Sequence, residues 1–176
     1  FFSVKYSKNK LKNAYNDHIE SIDKSMPLNS NYEYIKSKYY VNGKEGNIGL
    51  IDEIKNKLSE RKPILFLIEA AAGFGKTCTA YELLNSILKD GNDMVLPFFT
   101  ELSKNRQAKI FKYVLLDEIN RNFSNLKYDL VVDKIKEGKV PVILDGFDEL
   151  IDDNKDCDVE SINISEPMLG TISRAC

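Results

Sequence analysis

A chain of 176 residues, 43% hydrophobic and 30% charged, is long enough for one domain with a packed core and too apolar for global disorder. Its formal net charge of −2 argues against a nucleic-acid binder that works by neutralising many phosphates. No apolar stretch approaches the ~18–20 residues of a membrane span.

Residues 1–44 are rich in Lys, Asn, Ser and Tyr and read as a polar lead-in of helical or irregular structure. Beyond them, Ile48, Leu50, Ile51, Ile54 and Leu58 recur at helical spacing and predict an amphipathic helix that ends at Arg61-Lys62, before Pro63. The run Ile64-Leu65-Phe66-Leu67-Ile68 is apolar throughout, which suits a central parallel strand buried on both faces. A glycine-containing turn follows, and then a helix through Ala80, Leu83, Leu84, Ile87 and Leu88, stopped by Asp90-Gly91-Asn92. Met94 to Phe99 predicts a second strand, in which Pro97 lacks a ladder donor and favours an edge. Residues 106–123 and 127–137 read as helices, the second stopped by Gly138. Val140 to Leu144 predicts a third strand, an acidic loop runs from Asp145 to Glu166, and Met168 to Ser173 gives a weaker strand. Strands alternating with helices define an α/β class with a mostly parallel sheet.

Ala70-Ala71-Ala72-Gly73-Phe74-Gly75-Lys76-Thr77 matches the Walker A pattern, with Ala70 in place of the first glycine. A turn from strand to helix points successive backbone N–H groups at phosphate oxygens, and the helix adds the positive end of its dipole. Gly73 and Gly75 permit close backbone approach, Lys76 can reach the terminal phosphates, the Thr77 hydroxyl can ligate Mg²⁺, and Cys78 completes the candidate nucleotide-binding run. Asp145, at the tip of the third apolar strand, stands where a Walker B aspartate helps to hold Mg²⁺. Ligands of parallel sheets lie beyond the carboxyl ends of strands, so the two tips would share one crevice. Asp148 is the first and Glu149 the second candidate for the base that polarises an attacking water.

From Val142 to Leu150 the sequence resembles the Walker B signature of the NACHT branch of STAND ATPases, with a small residue after the first Asp and acids at the third and fourth places beyond it. Glu69 to Thr77 is similar to that branch's phosphate loop, Val95 to Phe99 to its second strand, and Thr171-Ile172-Ser173-Arg174 to its sensor strand. Across residues 45–176 the resemblance implies a partial, C-terminally truncated NACHT-like domain. The fold it implies is a three-layer P-loop NTPase of RecA/AAA+-like type, with the sensor strand between the two motif strands. It also implies ATP with Mg²⁺ as cofactors, Arg174 as a γ-phosphate sensor, a nucleotide-gated oligomerisation switch with self-association through the full-length protein, and a role in signalling or antiphage defence. The chain starts without Met and stops at Arg174-Ala175-Cys176, just after an apolar run, so both ends read as cut. A non-hydrolysing, nucleotide-dependent scaffold remains open on these residues. A P-loop kinase is disfavoured, because it would need a lid and an acceptor site.

Other polar residues read more plainly. Cys78, Cys157 and Cys176 are odd in number and widely spaced, which fits free thiols in a reducing cytosol. The single histidine, His18, lacks partners for a triad or metal site. Asp152, Asp153, Asp156 and Asp158 lack the order of a calcium loop. Tyr32, Tyr34, Tyr39 and Tyr40 form an aromatic cluster that could stack on a base, although packing against the domain is the commoner role.

Overall fold

A computed structural model of the chain describes residues 2–90, 96–102, 111–122 and 127–146. It opens on the long helix α1 (Phe2–Ser25), followed by a small hairpin of β1 (Tyr40–Val41) and β2 (Lys44–Glu45). Helices α2 (Leu50–Ser59) and α3 (Lys76–Lys89) come next, then β3 (Phe98–Glu101), α4 (Phe111–Asn122), α5 (Tyr128–Lys136) and β4 (Val142–Asp145). Strands β3 and β4 pair in parallel, with Phe98 opposite Val142 and Glu101 opposite Asp145.

Each predicted helix has a local cause. Gly49, extended at φ −61° and ψ 144°, caps the start of α2, and Asp52 and Glu53 complement its first turn. The chain leaves α2 through Arg61, whose φ of 52° turns it sharply before Pro63. Helix α5 ends at Gly138, which adopts φ 66° and donates its N–H to the Ile135 carbonyl at 2.9 Å. A Cβ at Gly138 would lie 2.7 Å from the Lys62 carbonyl carbon, so the α5–β4 turn is pressed against the end of α2's exit loop. Pro141 has no N–H, and its carbonyl accepts from Phe98 N at 2.8 Å where the parallel ladder begins.

The core gathers on α3. Tyr81, Leu84 and Leu88 pack with Phe98, Phe99 and Leu102 and with the apolar faces of α4 (Val114, Leu115, Ile119) and α5 (Val131, Ile135). A second cluster joins Ile54 of α2 to Leu83 and Ile87 on another face of α3. Leu11 of α1 is only 4% exposed and belongs to the larger cluster, so the polar lead-in supplies a core residue. Lys10 also donates to the Arg121 carbonyl at 2.8 Å, tying α1 to the end of α4.

The run Ile64–Ile68 departs from its expected role. It joins no sheet among the described residues, and Leu65 and Leu67 are 60% and 78% exposed. Only Phe66 turns inward, packing beside Ile54, Leu83 and Ile87. A strand requires a hydrogen-bonded neighbour, and an apolar run does not supply one. Among the described residues the second strand spans Phe98–Glu101, directly after Pro97, which cannot donate to the ladder, while Met94 and Val95 lie outside them. The expected strand at 168–173 lies outside the described residues.

Candidate nucleotide site

The turn into α3 has the backbone shape that its glycines foreshadow. Gly73 and Gly75 adopt φ 82° and 75°, in the left-handed region, and Gly75 is the residue from which α3 departs. Phe74 N–H donates to the Ala71 carbonyl at 3.3 Å, which curls the loop, and Thr79 N–H donates to the Gly75 carbonyl at 2.8 Å. The N–H groups of Lys76, Thr77 and Cys78 therefore precede the first full helical hydrogen bond, as at any helix start. The Lys76 ammonium folds back to donate to the Ala70 carbonyl at 2.8 Å, which holds a positive charge across the loop's own span. Thr77 is exposed, as are Ala71, Ala72, Gly73 and Phe74.

Asp145 ends β4 and is followed by Gly146 at φ 79°. Its carboxylate lies near the first turns of α3, close enough to act electrostatically on Cys78 and Tyr81. Burial, with the Glu82 and Asp145 carboxylates nearby, pushes the Cys78 thiol up.

The structure adds a residue that belongs to neither motif. Glu101 is the register partner of Asp145, so two carboxylate residues end adjacent parallel strands. The Tyr81 hydroxyl, from α3, donates to Glu101 Oε1. Burial and the Glu101 carboxylate raise the Tyr81 pKa above its ordinary value, keeping that donor proton in place. The Tyr81 ring packs on Phe99 with centroids 4.5 Å apart. The sequence did carry a sign of Glu101, an acid at the tip of a strand, but its pairing with Asp145 depends on tertiary register.

Of the run Ala70 to Cys78, its last residue, Cys78, is the one on which the Asp145 carboxylate acts electrostatically. Asp148, Glu149 and Arg174 lie outside the described residues. The groups present suit a magnesium-bound nucleoside triphosphate: the backbone N–H groups of a helix start, an ammonium, an exposed hydroxyl and a strand-end carboxylate. There is also room at the loop, since a Cβ built on Gly73 would meet nothing within 4 Å.

Residues 1–42 match the family described as NACHT-associated inactive Restriction Endonuclease 2. The matched stretch takes in α1, the linker after it and β1, and it stops short of the phosphate loop. This N-terminal segment is therefore similar to a domain that accompanies NACHT modules. No curated protein and no solved structure matches the chain. No helix among the described residues is long and apolar enough to cross a membrane.

Proposed function

We propose that this chain binds Mg²⁺–ATP at the turn into α3 and hydrolyses it as a conformational switch in a NACHT-type signalling or defence protein of the cytosol. The observation that carries this reading is the left-handed Gly75 opening α3, with the Lys76 ammonium held over the loop and the Asp145 carboxylate near the helix's first turns. The match of residues 1–42 to a NACHT-associated family supports the context independently of the motif.

On this reading each group has one task. The N–H groups at the start of α3 bind phosphate oxygens, aided by the helix dipole. Lys76 exchanges the Ala70 carbonyl for a phosphate oxygen and so loses little conformational freedom on binding. Thr77 and Asp145 are the residues that would hold the metal, which when bound neutralises charge on the transferring phosphoryl group. Asp148 and Glu149 are the candidates for orienting water, and Arg174 the candidate for sensing the terminal phosphate. The arrangement of the fold as a RecA/AAA+-like sheet, and self-association gated by nucleotide, belong to the same proposal.

Calorimetric titration of the parent chain and Lys76→Ala with Mg²⁺–ATP and with adenosine tests the reading. Loss of a charged hydrogen bond should weaken ATP binding about 10–100-fold while leaving adenosine binding nearly unchanged. Equal ATP affinity in both proteins would refute the assignment.

A further inference from the structure

The first turns of α3 carry two loads at once. Their N-terminal face is the candidate phosphate site, and the residues that follow directly, Cys78 to Glu82, are held by the N-terminal segment. Tyr15 of α1 donates its hydroxyl to Glu82 Oε1 at 2.8 Å. His18 of α1 stacks on Tyr81 with ring centroids 3.9 Å apart and planes 5° from parallel. From the linker after α1, the Tyr34 hydroxyl lies 3.2 Å from Thr79 Oγ1, two residues beyond the Thr77 hydroxyl. The linker is itself tied back to α1, since Tyr32 N–H donates to Asp23 Oδ1 at 2.8 Å. Tyr81, on which His18 lies, donates in turn to Glu101 beside Asp145.

From these contacts we propose that α1 and the tyrosine-bearing linker form a clip that reads the occupancy of the phosphate loop, so that nucleotide binding and docking of the N-terminal segment strengthen each other. The inference rests on the nucleotide reading above and adds the element that responds. Its physical basis is geometric. A polyphosphate gripped by the N–H groups of residues 76–78 fixes the first turn of α3, and Thr79, Tyr81 and Glu82 are the next residues on that helix. Fixing them removes motion that Tyr34, His18 and Tyr15 must otherwise follow, so the clip closes at a lower entropic cost. Linkage makes the effect reciprocal: whatever holds the clip closed raises nucleotide affinity by the same factor. The hydroxyl contacts suit such a role because they are few, directional and partly solvated, and can open without unfolding the core.

Hydrogen exchange of the full chain, with and without Mg²⁺ and ATPγS, tests the proposal. Saturating nucleotide should slow exchange about fivefold or more both in 71–80 and in 2–40. In the Tyr15→Phe, Tyr34→Phe double variant, which keeps both rings and removes only the hydroxyls, protection of 71–80 should persist while that of 2–40 is lost. Nucleotide affinity should then fall about fivefold. Should the double variant misfold, Tyr34→Phe alone gives the same comparison at smaller amplitude. Protection confined to 71–80 in the parent chain would overturn the clip and leave the nucleotide reading intact. No protection anywhere would overturn both.

Discussion

The two flanks of α3 are held in different ways. Toward α2, Ile54 meets Leu83 and Ile87 in a small apolar cluster, with Lys55 bridging to Ser86 Oγ at 2.9 Å and Asp90 Oδ1 at 2.8 Å at its rim. Toward α1, aromatic rings and hydroxyls dominate: Tyr15 on Glu82, His18 on Tyr81 and Tyr34 by Thr79. Apolar burial resists displacement in every direction and does not depend on pH. Directional hydroxyl contacts are weaker, can be broken singly and respond to protonation. One helix thus has a fixed side and an adjustable side.

That contrast can be broken by substitution. Ile54→Ala should be the most damaging change on the fixed side, costing about 2–5 kcal/mol in urea unfolding, because Ile54 is 3% exposed and its cavity would be lined by two helices. A cost no larger than that of a surface substitution would abolish the distinction between the flanks. Gly138→Ala comes next, at about 1–3 kcal/mol, because alanine is strained at φ 66° and its methyl would meet the Lys62 backbone. Thermal unfolding of this variant measures how firmly the exit of α2 is anchored.

The adjustable side should show itself at alkaline pH. Burial and the Glu82 carboxylate push the Tyr15 pKa up to about 12 from its ordinary 10. The folded chain therefore keeps a proton that the unfolded chain releases, and the stability linked to Tyr15 is present below about pH 10 and lost as pH rises toward about 12. Urea titrations at about pH 9 and pH 11 should give a smaller loss for Tyr15→Phe than for the parent, with the variant costing about 0.5–1.5 kcal/mol at neutral pH. An identical pH slope in both proteins would detach Tyr15 from that response. Lys55→Ala should have the smallest effect, about 0–1 kcal/mol, since its Asp90 partner is half exposed and the pair is weakened by salt. A double-mutant cycle with Asp90→Ala checks it.

Parts of this arrangement could be read directly in the sequence. The apolar spacing of Leu50 to Leu58 and of Ala80 to Leu88 marks α2 and α3, and Gly138 marks the end of α5. Gly73 and Gly75 fall in the strained turn where the motif needs them. In each case the signal is local, since helical periodicity and positive φ are properties of neighbouring residues. The turn at Asn42-Gly43 was equally local, with φ 51° and 79° closing the β1–β2 hairpin, and the pair is the usual signature of such a turn, yet its polar setting hid it. Strand pairing is another matter. Ile64–Ile68 has the composition of a buried strand, but composition cannot supply a neighbour, and among the described residues only its Phe66 is inward. Glu101 beside Asp145 was invisible for the same reason, because register joins residues far apart in sequence. Helix α1 read as a polar lead-in because few of its residues are apolar, yet it buries Ser7 and Leu11 and packs Tyr15 against the core.

The close approach of Gly138 to Lys62 has a geometric consequence. From that point one stretch of chain runs out to Ala70 and the phosphate loop, and another of similar length runs out to Asp145. A bulkier residue at Gly138 would therefore displace the origin of both stretches at once.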